Sequence, residues 1–356
     1  MTIREISNTA KLNVIDSVRG WAILLVIIVH TAGAMSLLPY PVKKMTNLGW
    51  YGVQLFFIAS AVTLLLSMHR SLDAGKPFVV GSFFRRRFWR IAPMYYFGAL
   101  FYFFMRPPEE AFSFSQLLLS LTFINSWHPD WLGVTPGYWG VVPGGWSISV
   151  EFCFYALFPI LAACVNNLKR AFYFLLASLF LAASSFNLAA WFYPSADLDV
   201  FSFFWLPSQL VIFALGFNVF FIVYENSNLA ENIRQHFTSC KFVFIIAAIT
   251  LLMLSQLGNT KHFFDHITLL PTHITIGFIF SVMLIALLIK PDVPTVMVNT
   301  LLSKLGEVSF SAYLIHFFVI DMAKTSLPDY FEASGVQSIF ICLLLIVIVA
   351  VTTYII

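Results

Sequence analysis

The sequence predicts an all-α fold, a polytopic integral membrane helix bundle, and three observations carry that prediction. Of the 356 residues 60% are apolar and only 10% charged, too few charges to coat a water-soluble body of this size. Aromatic residues make up 17%, with 40 Phe and 9 Trp, a surface that suits lipid. The apolar residues also fall into stretches of roughly 20, the helix length that a ~30 Å hydrocarbon layer demands. This composition excludes a cytosolic enzyme, a disordered chain and a secreted disulfide scaffold. A net charge of +3, dispersed along the chain, gives no footing to a nucleic-acid partner. Cys153, Cys164, Cys240 and Cys342 have neither metal-site nor disulfide-framework spacing and read as buried free thiols.

About ten transmembrane helices can be marked in order. They lie near residues 18–38, 48–68, 86–105, 146–165, 170–190, 202–224, 241–258, 270–290, 304–323 and 336–356. The first follows Arg4, Lys11 and Arg19 and ends in Ala32-Gly33-Ala34, as a cleaved signal peptide could. Asp16 in its leader and the hydrophobic segments that follow favour an uncleaved span. The third opens on the arginine cluster at 85–90, and the fourth on GGWSISVEF after a Pro- and Gly-rich loop. The sixth contains LPSQLVIFALG, the ninth LGEVSFSAYLIH, and the tenth ends in VTTYII without a basic anchor. If the N-terminus is cytoplasmic, 15 of the 20 Lys and Arg fall on the cytoplasmic side, which places both termini there. No internal repeat is visible, so residues 1–356 read as a single transmembrane domain. Residues 106–145 then face outward and hold Trp127, Trp131, Tyr138 and Trp139 around the apolar piece LLLSLTFIN. These rings form either an interfacial aromatic belt or a lid that packs on an acceptor such as a sugar.

Ionisable groups inside spans are costly and therefore mark functional candidates. Arg19 and His30 are 11 residues apart, three turns on one helix face and roughly 16 Å along the axis. His316 follows Lys304 by 12 residues in a span of the same direction, so it reaches a depth close to that of His30, with Tyr313 almost one turn below. Either histidine could be a general base or a hydrogen-bonding partner; a lone intramembrane His can equally be a core residue bonded to a carbonyl. Glu151 enters about 8 Å below the outer boundary with nothing polar beside it in sequence, so it needs a partner on another span. That partner makes it a structural ion pair, a group that orients a histidine, or an acceptor for a substrate hydroxyl. Arg85 and Arg86 fit ordinary positive-inside anchoring. Arg87 and Arg90 share a helix face at the membrane edge, an arrangement suited to bidentate phosphate binding.

These residues give the chain a close resemblance to the membrane acyltransferase-3 family, over nearly its whole length. The family's R-x10-H reads as Arg19 and His30, and its R-x-x-R as Arg87 and Arg90. Its W-S-[IL]-x-x-E with a following F-Y reads as Trp146, Ser147, Ile148 and Glu151 with Phe154 and Tyr155. Its G-E-x-S-[YF]-x-x-Y-L-x-H reads as Gly306, Glu307, Ser309, Phe310, Tyr313 and His316. Residues 206–216 resemble its P-x-Q-x3-F-x2-G segment.

The resemblance implies an integral membrane O-acyltransferase of the bacterial inner membrane. It would move an acyl group, acetyl being the usual one, from cytoplasmic acyl-CoA to a hydroxyl of an envelope or exported polysaccharide or a lipid-linked glycan. Acyl-CoA would be a co-substrate, with no permanently bound cofactor and no metal. Arg19, Arg87 and Arg90 would hold its phosphates, His30, Glu151 and His316 would be catalytic, and Trp146, Ser147, Tyr313 and Glu307 would orient the substrate. Two other readings stay open. A transporter could use mid-membrane His and Glu as a proton relay, although broken paired helices are not evident in the sequence. A metal could sit on His262, Asp265, His266 and His273 in an outer loop.

Overall fold

The computed structural model describes residues 3–105, 114–127, 141–192, 203–236, 240–256, 271–289 and 293–355. Helix is the only regular secondary structure among them. The principal helices are α1 (Ile3–Ala34), α2 (Gly52–Asp73), α3 (Val80–Met105), α4 (Gly145–Cys164), α5 (Leu168–Phe192), α6 (Leu206–Phe220), α7 (Cys240–Gln256), α8 (Thr272–Ile289), α9 (Thr300–Glu307), α10 (Ser309–Ser326) and α11 (Gly335–Ile355).

Each expected apolar stretch contains helix among its described residues, but they are not equivalent. Among the described residues seven candidate spans are long and apolar enough to cross a bilayer: Leu12–Ala34, Tyr40–Asp73, Gly145–Cys164, Leu168–Ala189, Leu206–Glu225, Thr272–Ile289 and Gly335–Ile355. The pair α9–α10 makes an eighth if its two halves are one span. The third expected span falls short of the same measure, because α3 carries Arg85, Arg86, Arg87 and Arg90 with Pro93 inside it. The seventh is apolar over Phe242–Met253 among the described residues, and the end of its expected range lies outside them. A count of about ten therefore does not rest on length and apolarity alone.

The chain divides into two compact units. One comprises residues 1–59, 226–267 and 275–356, the other residues 60–225 and 268–274. In the first, α1 packs against α9, α10, α11 and the short helical turn Asn47–Tyr51. Its contact with α9 is backbone on backbone, which only glycine permits. A Cβ at Gly20 would lie 2.1 Å from the Leu302 carbonyl oxygen, and one at Gly306 only 1.9 Å from that of Asp16. The segment leading into α9 is latched to α1 by Ser17 Oγ donating to the Asn299 carbonyl (3.3 Å) and Trp21 Nε1 donating to that of Met297 (3.2 Å). The Asn299 side chain then caps α9 by accepting the Leu302 N–H at 2.9 Å.

Sequence reading expects one unbroken span over 304–323. The structure instead breaks it at Val308 (φ −95°, ψ 7°) and bends the halves by 83°. The break has a packing cause. α9 is held at backbone contact with α1, while α10 must also lie along α11, and one straight rod cannot satisfy both.

In the second unit α4 and α6 form the core, with Phe154 stacked on Phe213 at 3.8 Å between ring centres. α4 starts after Gly144, whose φ of 73° is left-handed and suits glycine. α3 buries Ile91, Ala92, Tyr95, Gly98, Ala99 and Tyr102, a stripe at three- to four-residue spacing, and packs on α4. α6 ends in a π-helical turn, Phe221–Glu225. Within the long Trp-rich segment the structure describes a helix Phe114–Leu121 and a turn Asn125–Trp127. Trp131, Tyr138 and Trp139 lie outside the described residues.

Candidate functional site

In the first unit the break after α9 starts a helix that carries His316 to His30. Their ring centres are 5.1 Å apart, the planes tilted by 60°. Each ring is fixed by its own helix. His30 Nδ1 lies 2.8 Å from the Val26 carbonyl, and His316 Nδ1 lies 2.6 Å from that of Tyr313. A carbonyl oxygen can only accept, so both Nδ1 atoms carry the proton. In the neutral rings the basic lone pair is therefore on Nε2. His316 is fully buried and His30 half-buried. Phe317 packs on both imidazoles, at 4.4 Å from His30 and 4.2 Å from His316, and Trp50 meets His30 edge-on at 5.0 Å. The Tyr313 ring is 5.6 Å from His316. Three turns before His30 on the same face of α1, Arg19 is buried. Its guanidinium is 3.6 Å from the Asp16 carboxylate and 5.9 Å above the Phe56 ring. Glu307, the last residue of α9, is exposed.

In the second unit Glu151 is buried at 6% exposure in the first half of α4. Its partners are two hydroxyls rather than the cation that an ion pair would need. Ser60 Oγ on α2 and Tyr155 Oη one turn along α4 both donate to Oε1, at 2.6 and 2.5 Å. Two donors on one oxygen hold the carboxylate plane in place. The Arg87 guanidinium lies 5.7 Å over the Tyr155 ring and 5.8 Å over that of Phe83. Arg87 is half-buried and Arg90 exposed, so the two share a face by spacing but not an environment. Trp146 is buried against Phe203 and Phe204, at 5.4 and 4.7 Å, and Ser147 Oγ donates to the Gly144 carbonyl at 3.1 Å, closing the first turn of α4.

The structure thus pairs His30 with His316 and, separately, Glu151 with Ser60, Tyr155 and the neighbourhood of Arg87. Sequence reading missed Ser60 as the Glu151 partner, and Trp50 and Phe317 as the walls of the histidine pair. The available signal was Ser60 itself, one of two hydroxyl residues, with Thr63, in the apolar run LFFIASAVTLLL. Of the candidate metal ligands, His273 is buried with Nε2 2.9 Å from Ser208 Oγ, while His262, Asp265 and His266 lie outside the described residues. Among the described residues no three His, Cys, Asp or Glu side chains come together as a metal site would require.

No curated protein and no solved structure matches the chain at a significant level. A family model described as an acyltransferase domain matches residues 12–355.

Proposed function

The chain belongs to the acyltransferase-3 family, and from that premise we propose that this membrane acyltransferase is an O-acyltransferase of the bacterial inner membrane, moving an acetyl group from cytoplasmic acetyl-CoA to a hydroxyl of an envelope or exported glycan. The observation that carries the reading is the histidine pair, with both Nδ1 protons committed to backbone carbonyls and the basic nitrogens therefore on Nε2. His30 is the half-buried member and the one on the Arg19 face, so it takes the base role. His30 Nε2 removes the proton of the acceptor hydroxyl as its oxygen attacks the thioester carbonyl. The carbon–sulfur bond then breaks, and the imidazolium returns that proton to the departing coenzyme A thiolate. His316 positions the acceptor, with Tyr313 beside it.

Glu151 accepts a hydrogen bond from the sugar through Oε2, because Ser60 and Tyr155 already occupy Oε1. Arg19, Arg87 and Arg90 bind the phosphates of the donor, with Arg19 retaining Asp16 as its ion-pair partner. Trp146 and Ser147 support Glu151 by fixing the first turn of α4, and Glu307 ends the helix that sets the entry of α10. Acyl-CoA is consumed as a co-substrate, and the other partners are a glycan or lipid-linked glycan and the lipid bilayer.

The broken pair α9–α10 is a discontinuity of the kind that transporters use. An acyltransferase domain over residues 12–355 outweighs it. Mass spectrometry of envelope glycans from a deletion strain and its complemented parent tests the proposal. O-acyl groups should be lost and then restored. Identical glycans in both strains would contradict it.

A further inference from the structure

Two guanidinium nitrogens in the second unit are buried without a hydrogen-bond partner among the described residues. They are Arg87 Nε and Arg70 Nη2. A buried cationic N–H left unpaired is costly, and a group kept in that state calls for an explanation such as a ligand that completes it. The proposed function assigns the donor phosphates to Arg87. Arg70 has none assigned.

Arg70 stands in the last turn of α2. His69 beside it donates from Nδ1 to the Leu65 carbonyl at 2.9 Å and brings Nε2 to 3.9 Å from Glu225 Oε1. The His69 ring packs on Phe220 and Phe221, at 4.7 and 6.2 Å. Phe220 also stacks on Tyr224 at 5.4 Å, and Tyr224 and Glu225 both stand on the π-helical turn Phe221–Glu225. Such turns widen a helix locally and recur at functional sites. Only residues 74–79 connect α2 to α3, so Arg70 emerges on the same side of the membrane as Arg87 and Arg90. An Arg that merely anchors a helix end carries its charged head out to water or headgroups. A buried Nη2 does not fit that role. The Glu225 carboxylate works against an anion here, and it lies on the His69 side of the site.

We propose that Arg70, flanked by His69 and Tyr224, is a phosphoryl-binding site that takes a phosphate of the coenzyme A donor. The inference rests on the reading of acyl-CoA as donor. A lipid headgroup offers the same phosphoryl chemistry, so the test separates the two sources.

Purified protein in a phosphate-free maltoside detergent is titrated with labelled coenzyme A, with 3′-dephospho-coenzyme A and with inorganic pyrophosphate, each with and without added phosphatidylglycerol. Arg70→Gln should weaken coenzyme A binding about tenfold or more, and Arg70→Lys less, since it keeps the charge but loses the fork. Phosphatidylglycerol should not compete. Wild-type affinity in Arg70→Gln would overturn the proposal, as would Arg70-dependent binding of phosphatidylglycerol with unchanged coenzyme A affinity. Should Arg70→Gln lose its native gel-filtration profile, Arg70→Lys decides, and an affinity equal to wild type overturns the proposal. If the wild type binds pyrophosphate through Arg70 but no form of coenzyme A, the phosphoryl site stands and the donor reading falls.

Discussion

Replacing Gly306 by alanine sets two effects of opposite sign against each other. Inside a helix, alanine is favoured over glycine by about 1 kcal/mol, so α9 considered alone should gain stability. The packing predicts the reverse. The added Cβ would sit 1.9 Å from the Asp16 carbonyl oxygen and 2.7 Å from its carbon, where ordinary contact begins at 3.4 Å. α9 and α1 must therefore separate by about 1.5 Å, and the obstacle is backbone that cannot rotate away. Overpacking of this kind costs about 1–3 kcal/mol, and contact with rigid backbone places it near the upper end, for a net loss of about 2 kcal/mol. The same displacement travels through Val308 into α10 and carries His316 away from His30. A misplacement of about 1 Å can cost ~10²-fold in rate even when the substituted residue is remote from the reacting atoms. Thermal unfolding in detergent and acyl transfer should both be measured, with Gly33→Ala as control, since nothing lies within 4 Å of a Cβ there. Gly306→Ala should melt earlier and transfer slowly while Gly33→Ala does neither. A Gly306→Ala protein with wild-type melting and activity would refute the backbone contact between α1 and α9.

Arg87→Ala and Arg90→Ala should raise the donor KM more than they lower kcat, with Lys rescuing only in part; an unchanged donor KM in both folded variants removes them from the donor site. Tyr155→Phe takes away one of the two donors on Glu151 Oε1 and should cost about 1.5–3 kcal/mol in stability or in transfer rate, read from melting and kcat; no change in either would mean that the hydrogen bond does not hold the carboxylate. A membrane-impermeant thiol reagent applied to intact cells should label a cysteine placed at Trp127 and not one placed at Gly75; the opposite pattern would invert the orientation.

Much of this was legible because depth in a membrane can be counted along the chain. Arg19 and His30 share a face through 11 residues of helix. His30 and His316 each stand out as a titratable ring in an apolar run, although the count of residues from Lys304 to His316 assumed a straight helix that the bend at Val308 replaces. Glu151 announced its need for a partner by being a carboxylate in an apolar run. The partner itself was not legible, because Ser60 lies 91 positions away and only the packing of α2 beside α4 joins them. The bend at Val308 was hidden for a related reason. Its cause is the contact of Gly306 with Asp16, and residues 304–323 by themselves read as one continuous apolar helix. Arg87 and Arg90 look equivalent by spacing, yet the surroundings of α3 half-bury one and expose the other. The count of spans was blurred where arginines enter α3.

The central claim is that His30 is the base, and turnover of His30→Ala beside His316→Ala tests it most directly. Both proteins should insert at normal abundance, since alanine is less costly than histidine inside the membrane. His30→Ala should lose ~10²–10⁴ in rate, because none of Val26, Ile27 and Ala34 on that stretch of α1 can take a proton, while His316→Ala should lose less. A His30→Ala enzyme with wild-type turnover would contradict the mechanism, and an inactive His316→Ala beside it would move the base to α10.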